Sequence, residues 1–399
     1  MSWKRTLIIL WVANFGVMAG MNLVIPFLPL YIEQLGIHNL QALERWSSWV
    51  FSAQFITSFV FQPIWGSFAD RHGRKGMLLR AGFGMGIMTA LMGFVSAPWQ
   101  LLVLRFVNGI FSGFISMAVS LQASITPEED AGRALGILQT GAIAGSLIGP
   151  LLGGVLAEHL GYSRIFLFTG VLLIMASLVV LLFVHEAKVE PAKKAQKQRG
   201  GIRQLTWLYP VFLASIMTQA GMMSIEPIVT VYAKTLYHGV HLATIAGLVV
   251  AASGIANLIG SPLLGRLGDR VGQKRILVIA LVFAALAYVP QAFAQNITVL
   301  IIGRFCLGLF IGGMIPSLNV LVRKLAPADL LATAYGFNSS ALFLGNLLGP
   351  LIGGAVAAAY GFQSVFFVTM ALLLANAVII LFNRTLNHRP NMHPAGGNG

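Results

Sequence analysis

Residues 66–78, GSFADRHGRKGML, lie between two apolar runs and set five ionisable side chains (Asp70, Arg71, His72, Arg74 and Lys75) within six positions. A weaker copy, GRLGDRVGQKRI, occupies residues 265–276, again between apolar runs. Gly66, Asp70, Arg71, Gly73 and Lys75 recur as Gly265, Asp269, Arg270, Gly272 and Lys274, each 199 residues further on. A charged tight turn repeated in register in two apolar halves points to a duplicated membrane protein.

Composition supports this reading. The 399 residues are 57% hydrophobic and only 10% charged, against about 25% charged in a soluble domain. So few charges cannot cover a water-facing surface, and lipid must be the solvent. The single cysteine, Cys306, excludes a disulfide framework and a cysteine-based metal cluster. The eight histidines are scattered and form no HExxH, and no GxSxG occurs. No metal or cofactor and no enzyme activity are therefore expected. The net charge of +14 would suggest nucleic acid in a soluble protein. Here the basic residues sit between apolar runs, so topology and anionic lipid headgroups account for it instead.

Apolar runs near 20 residues are long enough to cross about 30 Å of hydrocarbon as helices. Twelve are read, at 6–32, 44–69, 76–96, 98–122, 133–158, 163–184, 207–233, 243–266, 275–294, 297–322, 332–359 and 362–383. The first is too long for a signal-peptide core and reads as a retained helix. Of the 26 lysines and arginines, 21 fall to one face of this arrangement. Only Arg45, Arg164 and Lys234 fall to the other, and Arg105 and Arg304 lie inside runs. The basic face is expected to be cytoplasmic, with both termini on it. The expected fold is all-α, twelve transmembrane helices in two six-helix bundles. The bundles are residues 1–184 and 207–388, joined by a cytoplasmic linker at 185–206 and followed by a disordered tail at 389–399.

The halves also match beyond the charged turn. AGMNLVIPFLPLY from Ala19 parallels AGMMSIEPIVTVY from Ala220, LVLRFVNGIFSGF from Leu102 parallels LIIGRFCLGLFIGG from Leu300, and GSLIGPLLGG from Gly145 parallels GNLLGPLIGG from Gly345. Parallel six-helix repeats related by an axis along the membrane normal characterise one class of secondary transporter.

These motifs resemble the major facilitator superfamily and, within it, the twelve-helix drug:proton antiporters. The turn at 66–78 is similar to the family's motif between helices 2 and 3. Leu102-Val-Leu-Arg105-Phe-Val-Asn108-Gly109 is similar to the helix 4 motif, with Asn108 where glutamine is more usual. GAIAGSLIGPLLGG, residues 141–154, resembles the antiporter motif of helix 5, and Gly20, Pro26 and Pro29 fit a spacing associated with twelve-helix drug exporters. The resemblance implies proton-driven export of amphipathic, often cationic drugs by alternating access. It also implies a plasma membrane location of bacterial type, with protons and lipids as the other partners and no nucleic acid. Monomer is the expected state for two complete halves.

Three groups of candidate residues follow. Gly66, Asp70, Arg71, Gly73, Arg74 and Lys75, with Glu129 and Asp130 of the loop after the fourth run, are a candidate latch on the cytoplasmic side. Gly66 would allow close helix approach and Gly73 a turn needing permissive backbone angles. The alternative is a basic loop that only sets topology. Gly141, Gly145, Gly149 and Gly153, with Pro150 and Gly154, present a smooth helix face that packs closely in lipid. The resemblance implies that this face also seals the cavity and hinges the rocking motion. Candidate cavity residues are Asn22, Gln54, Gln139 and Met222.

Glu226 is the sharpest signal. Eleven of the twelve carboxylates map to loops or run ends, and Glu226 alone falls inside a run, opposite Ile25 in the repeat. An intramembrane acid must face a cavity, find a partner or bind a proton. Desolvation favours its neutral form and a nearby cation its charged form, so a proton and a cationic cargo can compete for it. A purely structural, hydrogen-bonded acid is the alternative. For Arg105 the resemblance implies help with proton transfer, and the alternative is a buried arginine satisfied by carbonyls. The residues alone leave open export of a lipid or glycolipid, nutrient symport, or a non-transporting scaffold.

Overall fold

The computed structural model describes residues 3–184, 202–327 and 330–383, and in this region it is helical throughout, with no strand among the described residues. The linker from 185 to 201 and the chain beyond 383 lie outside the described residues, so the expected disordered tail does too. The first half runs α1 (Trp3–Val24), α2 (Leu28–Gln34), α3 (Leu40–His72), α4 (Arg74–Met92), α5 (Pro98–Ile110), α6 (Phe114–Ile125), α7 (Glu128–Leu160) and α8 (Tyr162–Phe183). A 3-10 segment at Ile202–Leu208 leads into the second half. That half runs α9 (Tyr209–Ser224), α10 (Val229–Leu236), α11 (Leu242–Val271), α12 (Gln273–Ala292), α13 (Ile297–Leu325), α14 (Leu331–Tyr360) and α15 (Phe362–Phe382).

Among the described residues, ten helical stretches are long and apolar enough to cross a membrane. The helices α3 and α4 fall outside that set. Lys75 and Arg80 in α4, and the serines, threonine and glutamines of α3, lower their hydropathy. The repeat is visible in the turns. Gly73 and Gly272 take φ of 96° and 105° between α3–α4 and α11–α12, and Gly161 and Gly361 both take 80° before α8 and α15. Only glycine adopts such angles without strain. Lys75 Nζ donates to the Leu181 carbonyl at 2.9 Å, and Lys274 Nζ to that of Asn383 at 2.8 Å. Each thus ties the start of one helix to the end of another, where a cation meets the negative end of the dipole.

Three spanning stretches are broken, and two of the breaks follow proline. Pro26 sits in a 3-10 turn at Ile25–Phe27 between α1 and α2, and Pro227 lies between α9 and α10. Proline removes a backbone donor and crowds the preceding turn. The third break, between α5 and α6, is unexpected from the single run at 98–122. Gly113 there takes φ 116°, and the exposed carbonyls are met from neighbouring helices. Arg80 donates to the Ile110 and Ser112 carbonyls at 3.1 and 3.3 Å, while Trp65 Nε1 donates to Ile110 at 2.7 Å. The Arg80 guanidinium also lies 3.9 Å from the Trp65 ring centre. The repeat positions are Ile279 and Leu264, and α13 runs on unbroken. Arg80→Ala should therefore destabilise the first half by about 1–3 kcal/mol, because carbonyls in a dry interior lose their donor. Thermal unfolding in detergent, followed by tryptophan fluorescence, measures this.

The halves meet along two seams, α3 against α14 and α7 against α11. Both seams are tight toward the face opposite the Gly73 and Gly272 turns. A methyl built at Gly154 would sit 2.7 Å from Thr244 Cα, and one at Gly254 would sit 2.6 Å from Leu147 Cδ2. Gly247 is pressed on the Pro150 carbonyl, and Gly354 on Ser48. Ser52 Oγ donates to the Leu347 carbonyl at 3.4 Å. One buried cluster on this side draws Leu23, Phe27 and Tyr31 from the first half together with Val231, Ala243 and Ala246 from the second. Toward the basic face, by contrast, Gly66, Gly132, Gly136, Gly265 and Gly336 face open space. The bundle is thus closed on one face and parted on the other.

Candidate functional site

Glu226 does not lie within a helix, as its run implied, but in the break between α9 and α10. Pro227 ends the helix there, and the chain resumes with Ile228 and Val229 donating to the Ile225 carbonyl at 3.0 and 2.8 Å. A break of this kind lets a side chain leave the helical ladder and turn toward the bundle interior. The Glu226 carboxylate accepts from Arg304 Nη2 at 2.7 Å. Arg304, on α13, is 1% exposed, and the Glu226 side chain 17%. This is a desolvated acid–arginine pair, and its geometry is that of a charge-assisted bond.

The arginine that meets Glu226 is therefore Arg304 and not its repeat copy Arg105. Arg105 belongs to the first half, where its Nη1 donates to Gln54 Oε1 at 2.9 Å. Asn108 Nδ2 reaches the same oxygen at 3.4 Å. The repeat thus holds two arginines in equivalent places, one on a carboxylate and one on an amide. Both leave Nε without a partner, so each site keeps an unused donor in the interior.

The other candidates fall in separate places. Asn22 Nδ2 donates to the Met18 carbonyl at 2.8 Å, and Gln54 is taken by Arg105 and Asn108. Gln139 is exposed and Met222 partly buried. Gly141, Gly145, Gly149 and Gly153 pack α7 on α1, against Trp11, Phe15, Ala19 and Leu23. That face lies within one half. Gly154 reaches the other half on α11, where Pro150 and Leu147 of the same motif also meet Gly247 and Gly254. Gly345, Gly349 and Gly353 repeat the packing on α9, and Gly354 repeats the crossing on α3.

In the candidate latch, the side chains of Asp70 and Arg71 lie outside the described residues. Gly66 meets nothing within 4 Å of an added methyl, so it permits no close helix approach in this arrangement, because the halves part on its side. Arg74 Nη1 donates to the Ser120 carbonyl at 2.9 Å. Asp130 lines a cleft with Lys4 and Arg133, and Glu129 is exposed. In the repeat, Gln273 Nε2 donates to Asp269 Oδ1 at 3.0 Å, while Gln273 Oε1 accepts from Ser317 Oγ at 2.9 Å.

An ion pair and a histidine–carboxylate contact across the closed face were not foreseen. Lys234 Nζ lies 2.5 and 2.6 Å from the two Glu33 oxygens, joining α10 to α2. His241 Nδ1 lies 2.9 Å from Glu158 Oε2, and the Thr244 amide donates to the other Glu158 oxygen at 2.9 Å. The first pair is 201 residues apart in the chain, so only the duplicated architecture could have suggested it. With the Lys234 side chain 42% exposed, the pair is worth at most about 1 kcal/mol. A double-mutant cycle on Glu33→Ala and Lys234→Ala should shift the closed:open ratio by no more than about fivefold, read from spin-label distances across this face.

Two inward-packed repeats, closed on one face and holding an acid–arginine pair at a broken helix, have the build of a membrane transporter. The model of the Major Facilitator Superfamily matches residues 10–244 and again 211–399. The chain is 40% identical over 382 residues to "Multidrug resistance protein MdtG" of Klebsiella pneumoniae, covering 94% of this chain and 93% of that protein. It is 41% identical to the protein of the same name from Enterobacter lignolyticus, covering 94% and 91%. Among solved structures, a bacterial homologue of the human lysosomal transporter Spinster superposes with a TM-score of 0.81 at 16% identity, over 96% of this chain and 98% of that one. The nucleoside transporter NupG gives 0.79 at 13%, over 94% and 98%. The chain belongs to the Major Facilitator Superfamily.

Proposed function

We propose that this chain is a proton-driven exporter of amphipathic, often cationic drugs, working by alternating access. The Glu226–Arg304 pair carries the reading. Three things can satisfy the Glu226 carboxylate: the guanidinium, a proton or a cationic cargo, and exchange needs only that they alternate. Cargo entering from the basic face takes the carboxylate and frees Arg304. A proton from the other side then displaces the cargo, and the return of Arg304 to the carboxylate releases that proton on the basic face and resets the site. The relatives named for multidrug resistance support the cargo class.

In this reading α1 with α2, α5 with α6, and α9 with α10 each make one span, giving twelve. The basic face is cytoplasmic and both termini lie on it, so the arrangement described above is open to the cytoplasm. The latch of Asp70, Arg71, Arg74 and Lys75 with Glu129 and Asp130 forms in the opposite state, when the cavity faces outward. The glycines of α7 keep that helix flat on α1, so the first half rocks as one body. The protein works as a monomer, with Asn22, Gln54, Gln139 and Met222 contributing to the cavity wall.

Purified protein in liposomes with an imposed pH gradient tests this. Flux of a cationic dye, flipping of a labelled lipid and sugar uptake are read in parallel. Dye accumulation that collapses when the gradient is removed supports the proposal. Lipid flipping or sugar uptake without dye movement contradicts it.

A further inference from the structure

Glu44 stands four residues into α3, a place where an acid reads as solvent-facing. It is instead 1% exposed. Its backbone carbonyl lies 3.1 Å from a methyl built on Gly354 of α14, which puts it in the seam that closes the outer face. Ser47 and Ser48, three and four residues on, share its side of the helix. They are 0% and 1% exposed, and neither hydroxyl has a partner. No ion pair or hydrogen bond reaches the Glu44 carboxyl among the described residues.

The elements packed on α3 offer no counter-ion. Helix α14 carries no charged residue, only Tyr335 and the exposed Tyr360. From α5 the only charge is Arg105, engaged with Gln54 about 15 Å further along α3 at the helical rise. From α2 come Glu33, paired with Lys234, and Tyr31, which donates to the Met92 carbonyl. Arg74, Lys75 and Arg80 of α4 start that helix at the far face, and Arg45 next to Glu44 is exposed. A carboxylate enclosed in this way with no counter-ion is costly in its charged form. A groove of about 550 Å³ on the same face, lined by Glu33, His38, Leu43, Lys234 and His238, brings solvent to the residue beside it.

We propose that Glu44 is a second proton-binding site, at the outer gate. Closing the α3–α14 seam takes one proton from the outer solution onto the carboxylate, and opening the seam returns it. This supplies an acid in the first half, where the repeat offers Arg105 only an amide. It rests on the alternating-access reading, and the test separates the two.

Nitroxide labels at Gln41→Cys and Tyr360→Cys, in a Cys306→Ser background in nanodiscs, report the seam by electron-spin distance measurement. With rising pH the closed population of the parent should give way to the open one by roughly tenfold per pH unit, the slope of one proton. Glu44→Gln should stay closed at every pH. Glu44→Asp should titrate with a displaced midpoint, which keeps the test decisive if the glutamine variant does not fold. His241, in contact with Glu158, lies on this face too, so His241→Gln is run beside them and should keep the titration. A Glu44→Gln protein that titrates like its parent, an unmoved midpoint in Glu44→Asp, or a titration lost only in His241→Gln overturns the assignment. A parent that opens with cargo but not with pH overturns Glu44 alone. Distances that nothing changes overturn alternating access as well.

Discussion

Glu226→Gln should abolish export against a gradient, lowering the proton-driven dye flux by on the order of a hundredfold, while downhill dye movement persists. The amide can still accept from Arg304 but can neither take up a proton nor neutralise a cation. A complication comes from the partner. Arg304 is buried, and a buried charge stripped of its counter-charge costs about 3–5 kcal/mol. Part of any loss in the single variant is therefore a folding defect. The double variant Glu226→Gln with Arg304→Gln removes both charges and should recover thermal stability without recovering coupling. Export restored along with stability would reduce the pair to a structural role. Arg105→Gln should act more mildly, because Arg105 contacts an amide and not an acid.

Gly354→Leu and Gly154→Leu should each hold the outer face open. Gly354 is pressed on Ser48 of α3, and Gly154 on Ala243 and Thr244 of α11. The close neighbour is a short side chain in one case and backbone in the other, so neither seam can absorb four added carbons. Overpacking costs about 1–3 kcal/mol, which shifts the closed:open ratio by roughly five- to 150-fold. Export should fall in proportion. Gly132→Leu and Gly136→Leu, on the same helix as Gly154 but facing open space, serve as controls and should leave the ratio unchanged in this state. Spin-label distances across the outer face give the ratio directly, and an unchanged ratio in Gly354→Leu would show that the α3–α14 seam does not limit closure.

Local signals in the sequence reached some features and missed others for physical reasons. The 199-residue shift between the Gly73 and Gly272 turns revealed the duplication, because a tight turn imposes the same residue types wherever it recurs. Glu226 stood out because intramembrane acids are rare, and Pro227 beside it already carried the cause of the helix break. The partner was harder to find. Arg105 and Arg304 have equivalent neighbours in sequence, and only the packing of α13 beside the α9–α10 break separates them. Glu44 counted only as one of the acids at loops and run ends, because burial at the end of a helix is decided by the opposing half, which a local pattern does not contain. The Glu33–Lys234 and Glu158–His241 pairs were hidden for the same reason. The break at Gly113 was missed because glycine within an apolar run is compatible with a continuous helix.

Competition between a proton and a cationic cargo for one carboxylate can be measured without a membrane. Detergent-purified protein is equilibrated with labelled tetraphenylphosphonium across a series of pH values, and the bound cation is measured. The account predicts binding that weakens as the pH falls, because the proton takes the carboxylate, and that is lost in Glu226→Gln. Binding that ignores pH, or that is equal in both proteins, would contradict it.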